Sequence, residues 1–148
     1  MKLYIDGDAL PNMLKTIMLR AIIKNNILTF VVSNKKISIG EHSTIKYVIV
    51  KEGADEADKH IVDMLSQSDL VITADIPLAD LVISKGGYAI DHRGDIYTED
   101  NIKHFLAMRD LMQNLRESGE ITKGPKPFNK NDVQKFANSF NSMVQKLL

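Results

Sequence analysis

The sequence predicts an α/β protein with a mainly parallel sheet and helices on both faces. β-type runs at residues 2–5, 27–32, 45–50, 69–74 and 88–90 read as strands, and the continuous β-branched and aromatic run 27–32 is that of a parallel strand covered on both sides. Helical spacing fills most of the gaps between them through short connections, and β-α-β-β-α-β-α-β is the order of an open parallel sheet. A third observation is local. The first strand runs into Asp6-Gly7-Asp8, which puts two carboxylates on a turn at its carboxyl edge, where such sheets bind ligands.

The elements follow in order. Pro11 suits the first turn of a helix, and Leu14, Ile17, Met18, Ala21 and Ile22 recur at helical spacing until Asn25-Asn26 ends the run. Strand two turns out through Ser33-Asn34-Lys35-Lys36, residues 37–45 read as irregular, and strand three follows. A helix from Asp55 to about Ser68 carries Ala57, Ile61, Met64 and Leu65 on its apolar face. Strand four ends at Asp75, Pro77 opens another helix, and Gly86-Gly87 closes it before the short strand at Tyr88. Thr98 reads as the cap of a long helix from Glu99 to about Glu117, stopped by Gly119. Beyond the stiff Gly124-Pro125-Lys126-Pro127, Asn129 or Asn131 caps a last helix striped with Val133, Phe136, Phe140, Met143, Val144 and Leu147. The stripe needs a surface, either the parent sheet or a second subunit, so a homo-oligomer stays open. The domain plan is therefore an α/β domain over residues 1–120 and a basic linker and helix over 121–148.

Composition narrows the function classes. A chain of 148 residues suits one domain. Its formal net charge of zero argues against wholesale duplex binding. The balance is uneven, because residues 120–148 hold five lysines against Glu120 and Asp132. The absence of cysteine removes disulfides, thiolate metal sites and a cysteine nucleophile, and fits a reducing cytoplasm. No apolar run reaches membrane-spanning length, so no membrane partner is expected.

The chemistry lies in the acids. Asp6 closes an otherwise apolar strand and needs a partner there. Asp8 follows it, and Asp75 combines a helix-cap position with the edge of a buried strand. In the acidic start of the middle helix, Asp58 borders the packed face and Asp55 lies further round, while Glu56 points to solvent. Asp80 is a weaker candidate, one turn after Asp75. Such carboxylates suit Mg²⁺ or Mn²⁺, hard ions that leave positions open for phosphate and can activate water for in-line attack. No histidine stands at zinc-ligand spacing. Thr73 shares the side of Asp75 and reads first as a buried strand threonine, with a bond to a water or phosphate oxygen as the alternative. Arg109, set among apolar helix residues, either holds a buried carboxylate or reaches phosphate. Lys123, Lys126 and Lys130 could follow a nucleic-acid backbone or form a solvated tail.

These residues carry a resemblance that runs nearly end to end. Asp6-Gly-Asp-Ala9, Gly53-Ala-Asp-Glu-Ala-Asp58, Leu70-Val-Ile-Thr-Ala-Asp-Ile-Pro-Leu-Ala79, Arg93-Gly-Asp-Ile-Tyr-Thr98, Leu106-Ala-Met-Arg-Asp110 and Gly124-Pro-Lys-Pro-Phe128 resemble the bacterial YaiI/YqxD family, also called UPF0178 or DUF188. That family in turn resembles PIN and NYN-type nuclease domains. The resemblance implies a PIN-like three-layer sandwich, a five-stranded sheet of order 3-2-1-4-5, and an Mg²⁺-dependent ribonuclease-like site. Asp6, Asp55 or Asp58, and Thr73-Ala74-Asp75 match its pattern. Many relatives carry Cys-Pro where this chain has Leu10-Pro11, so no thiol role transfers.

The expectation is a nuclease cutting RNA, with Asp6, Asp75 and one or both of Asp55 and Asp58 on the metal and Asp8 a ligand or a water-orienting base. Two rivals stand beside it. A haloacid-dehalogenase-like phosphatase would use Asp6 as nucleophile and needs a lysine, for which Lys85 is a poor candidate. A non-catalytic module would hold RNA or a nucleotide through metal and the basic tail, without turnover.

Overall fold

The computed structural model describes every residue except Ala54, Thr122, Lys123 and Pro125, so Lys123 lies outside the described residues. Strands β1 (Leu3–Asp6), β2 (Thr29–Ser33), β3 (Ile45–Ile49), β4 (Leu70–Ile72), β5 (Tyr88–Ile90) and β6 (Ile96–Tyr97) form one sheet of order β3-β2-β1-β4-β5-β6. All neighbours pair parallel except β5 and β6. The expected 3-2-1-4-5 order is present, extended at one edge by β6. Two residues are too few to show a period, and β6 exists because the Asp91 carboxylate accepts the amides of Arg93 and Asp95 and folds the chain back.

Helices cover both faces. Leu3, Ile5, Leu70, Ile72 and Ile90 point to one side, where α1 (Lys15–Asn25) and α5 (Lys130–Leu147) pack. Tyr4, Val32, Val71 and Ala89 point to the other, under α2 (Glu56–Met64) and α3 (Ile76–Ser84). The period of two along each strand separates the cores. The last helix therefore docks on the parent sheet, where Phe136 and Phe140 are fully buried. Asn129 caps it in a reciprocal box with Asp132.

The β5–β6 turn receives this helix at Gly94. With φ at +90° and the Lys135 backbone 2.6 Å from where a Cβ would stand, only glycine fits. Arg93 then ties the arm down: Nη1 meets Asp132 at 2.8 Å, Nη2 donates to the Lys126 carbonyl at 2.5 Å, and the guanidinium lies over the Phe128 ring.

Two helices differ from the sequence reading. The middle helix ends at Met64, short of Ser68, with Leu65 already extended. The long helix α4 (Ile102–Glu117) starts at Ile102 rather than Glu99. Thr98 and Asn101 take each other's backbone amides, at 2.8 and 3.2 Å, and hold the intervening residues in a turn. Only the first turns of α4 are seated, through Ile102, Phe105 and Leu106 against the α3 side of the sheet. Further along, Met108 and Leu111 are exposed. Among the described residues no helix is long and apolar enough to cross a membrane.

Candidate active site

Asp6 ends β1 beside the extension of β4. The register Ile5↔Ile72 brings Thr73 next to it. Strand alternation turns Asp6 and Thr73 to the α2–α3 side. The Thr73 hydroxyl donates to Asp6 Oδ2 at 2.9 Å and accepts the Asp75 amide at 3.0 Å. Thr73 has no exposed surface, so its hydroxyl couples the two acids and does not reach outward as the sequence reading allowed. Gly7 lets the chain turn off the sheet, donating to the Val32 carbonyl at 2.7 Å where a Cβ would strike Ile37. Ala9 follows with φ at 62°, a left-handed conformation that costs a residue with a Cβ.

Burial pushes the Asp6 carboxyl up to about 6, with repulsion from Asp8 and Asp75 adding to it and hydrogen bonds from Thr73 and the Asp8 backbone opposing it. Asp75 caps α3, its Oδ1 accepting from the Leu78 amide at 3.1 Å. Asp58 reaches it from α2. The Asp58 carboxyl is pushed up to about 7 by burial, then by the charge of Asp75 and a hydrogen bond shared with it, then by Asp6 and Asp55. The neighbouring acids thus favour the protonated form of Asp58. Asp55 is exposed and left-handed at φ 69°, acting on Asp58 through its charge. Asp8 accepts the Asn34 amide on both carboxylate oxygens, at 3.2 and 3.3 Å.

The acids face two hollows. Asp6, Asp8 and Asp75 line a groove of about 670 Å³ whose opposite wall is α4, presenting Phe105, Met108, Arg109, Met112 and Arg116. Asp55 and Asp58 line a smaller one of about 370 Å³ beside Pro77 and Leu81. Arg109 is thus a groove residue, which explains a charge among apolar neighbours. Its guanidinium stands 3.8 Å from exposed Asp110, and among the described residues no ion pair joins it to the site acids. Lys126 is exposed and lies outside the groove. Asp80 faces Lys103 at 4.0 Å, and Glu56 faces Lys59 at 3.9 Å. Among the described residues no three carboxyl or imidazole groups close on one point tightly enough to cage an ion as they stand. The donor set is nonetheless all carboxylate, the chemistry that hard divalent ions take.

Arg116 was not singled out from the sequence. Its signal was present, since positions 105, 109, 112 and 116 repeat at helical spacing on one face.

With this geometry in view, the family model described as "Uncharacterized BCR, YaiI/YqxD family" matches residues 4–146. The chain belongs to the YaiI/YqxD family. Similar relatives are each called "UPF0178 protein". One from Sulfurimonas denitrificans is 61% identical over 99% of this chain and 97% of its own. Those from Nitratiruptor sp. and Sulfurovum sp. are 58% and 59% identical, covering 99% of this chain and 97% and 99% of theirs. No solved structure matches. The YaiI/YqxD family description states no chemistry.

Proposed function

We propose that this protein is a divalent-metal-dependent nuclease that hydrolyses RNA at the carboxyl edge of its sheet. One observation carries the reading: Asp6 and Asp75 are held side by side by Thr73, with the Asp58 carboxyl near Asp75, and burial and mutual repulsion hold the Asp6 and Asp58 carboxyls well above the usual carboxylate range. Such a cluster is at odds with itself until a cation joins it.

Asp6, Asp75 and Asp58 would hold Mg²⁺ or Mn²⁺, with Asp55 adding negative charge from the rim. The ion supplies Lewis-acid polarisation of a phosphodiester and a water acidic enough to attack near neutral pH. Thr73 keeps Asp6 in place by its hydrogen bond, and the α3 amide at Leu78 does the same for Asp75. Asp8, which lines the same groove, would be a ligand or orient water. Arg109 offers a cation to phosphate across it. The phosphatase rival's candidate lysine is poorly placed: Lys85 ends α3 at the far end from Asp75, its ammonium on the Val62 carbonyl.

The test is hydrolysis of a labelled single-stranded RNA by the full chain in Mn²⁺ and in chelator. Cleavage that needs Mn²⁺ and disappears in Asp6→Asn and Asp75→Asn is expected. Cleavage indifferent to chelator, or equal in the variants, would overturn it. Binding that survives while cleavage is undetectable in Mn²⁺ would favour the RNA- or nucleotide-binding alternative, and acyl-phosphate trapped on Asp6 the phosphatase.

A further inference from the structure

The groove has a second wall that the carboxylate chemistry does not use. Beyond its seated first turns, α4 runs along the acids with Met108 and Met112 one turn apart and Arg109 and Arg116 two turns apart, all lining the groove. Seven residues of α-helix separate the two arginines by about 10 Å along the axis. Met108, Arg109 and Arg116 are exposed, so core packing does not account for them. Methionine is a soft, adaptable surface, and guanidinium a rigid fork for phosphate oxygens. A methionine stripe running beside two cations is complementary to a chain that carries flat apolar rings alongside anionic links.

We propose that α4 is a strand-binding wall for single-stranded RNA. Arg109 and Arg116 take two phosphate groups of one strand, and the Met108–Met112 stripe beside them takes the face of a base. A duplex hides its base faces in its own stack, so this wall selects unpaired strand. The proposal rests on the nuclease reading for its substrate class, and adds which residues grip the strand away from the scissile bond. It also sets a minimum substrate, because gripping a second phosphate requires more than one nucleotide.

The test is equilibrium binding of a fluorescent single-stranded oligoribonucleotide to the full chain in chelator, across a salt series, with duplex RNA as comparison. Arg116→Ala should lower affinity about fivefold at low salt and flatten the slope of log K against log salt by about 0.7. The Arg109→Ala/Arg116→Ala pair should flatten it by about twice that. Met112→Ala should weaken binding equally at every salt concentration and leave the slope alone. Circular dichroism establishes that each variant is folded. An unchanged slope in the arginine pair, no binding by the parent, or duplex bound as tightly as single strand would overturn the wall. Failure of the two readings is separable. Flattened slopes with no Mn²⁺-dependent cleavage would uphold the wall and sink the nuclease. Cleavage by the parent with slope and KM unchanged in the arginine pair would do the reverse.

Discussion

Asp6 and His92 are both buried, and burial moves their protons in opposite senses. The Asp6 carboxyl, at about 6 when folded against an ordinary 3.8, favours the folded state in full below about 3.8, and that contribution is lost as pH rises through about 6. His92 is lowered to about 4 by burial and by Arg93, and its Nε2 has no hydrogen-bond partner among the described residues. Its contribution is present in full above 6.5 and lost as pH falls through about 4. The two oppose each other across the same window. Chemical denaturation in chelator should show Asp6→Asn gaining stability relative to the parent between pH 4 and pH 6, by on the order of 3 kcal/mol. His92→Gln should gain relative to the parent as pH falls over that range. Differences flat with pH would refute the assignments.

Asp75 adds a metal-dependent test at the same scale. Asparagine serves nearly as well as a helix cap, so Asp75→Asn keeps the Leu78 contact while removing charge. In chelator the variant should melt higher than the parent, because Asp58 no longer faces an anion. Saturating Mn²⁺ should raise the parent by about 2.7 kcal/mol at a hundredfold excess over its dissociation constant, and the variant far less. Equal metal shifts in the two proteins would remove Asp75 from the site.

At the scale of elements, two turns carry most of the geometry. The turn after β1 holds Ala9 left-handed at the groove without a glycine, so Ala9→Gly should raise stability by about 1 kcal/mol in thermal unfolding. The β5–β6 turn is the opposite case. Gly94→Ala adds a Cβ against the Lys135 backbone in a conformation that resists it, and should cost about 3 kcal/mol and loosen α5. Hydrogen exchange localises the effect: amides of α5 should lose protection before those of α2. The long helix α4 owes its late start to the Thr98–Asn101 pair. Its propensity and first-turn acids argued for Glu99, and a side-chain turn overrode them.

At the scale of the molecule, the charge-rich tail is part of the core. Phe136, Phe140, Met143 and Val144 fill the face of the sheet opposite α2 and α3, so α5 is built into the core. Removing residues 121–148 should abolish the cooperative unfolding transition seen by calorimetry. Replacing exposed Lys126 and Lys130 by alanine should leave that transition intact. A truncated chain that still unfolded cooperatively would show the sheet to be self-sufficient.

Much of this protein is legible residue by residue because it depends on local periodicity. Five strands, the helices between them and the acids at Asp6 and Asp75 all follow from spacing and from where a strand must end, since apolar runs and turn residues act on their own neighbourhood. The family was legible too, from motifs spread over the whole length. Tertiary structure alone decided the rest. Whether Asp58 meets Asp75, whether Thr73 faces solvent or Asp6, where the last helix docks and that Arg116 shares a groove with Asp8 all depend on how separate elements pack. A helical period says which side chains share a face; what that face meets is set by register and crossover, across distances at which sequence neighbours exert no force.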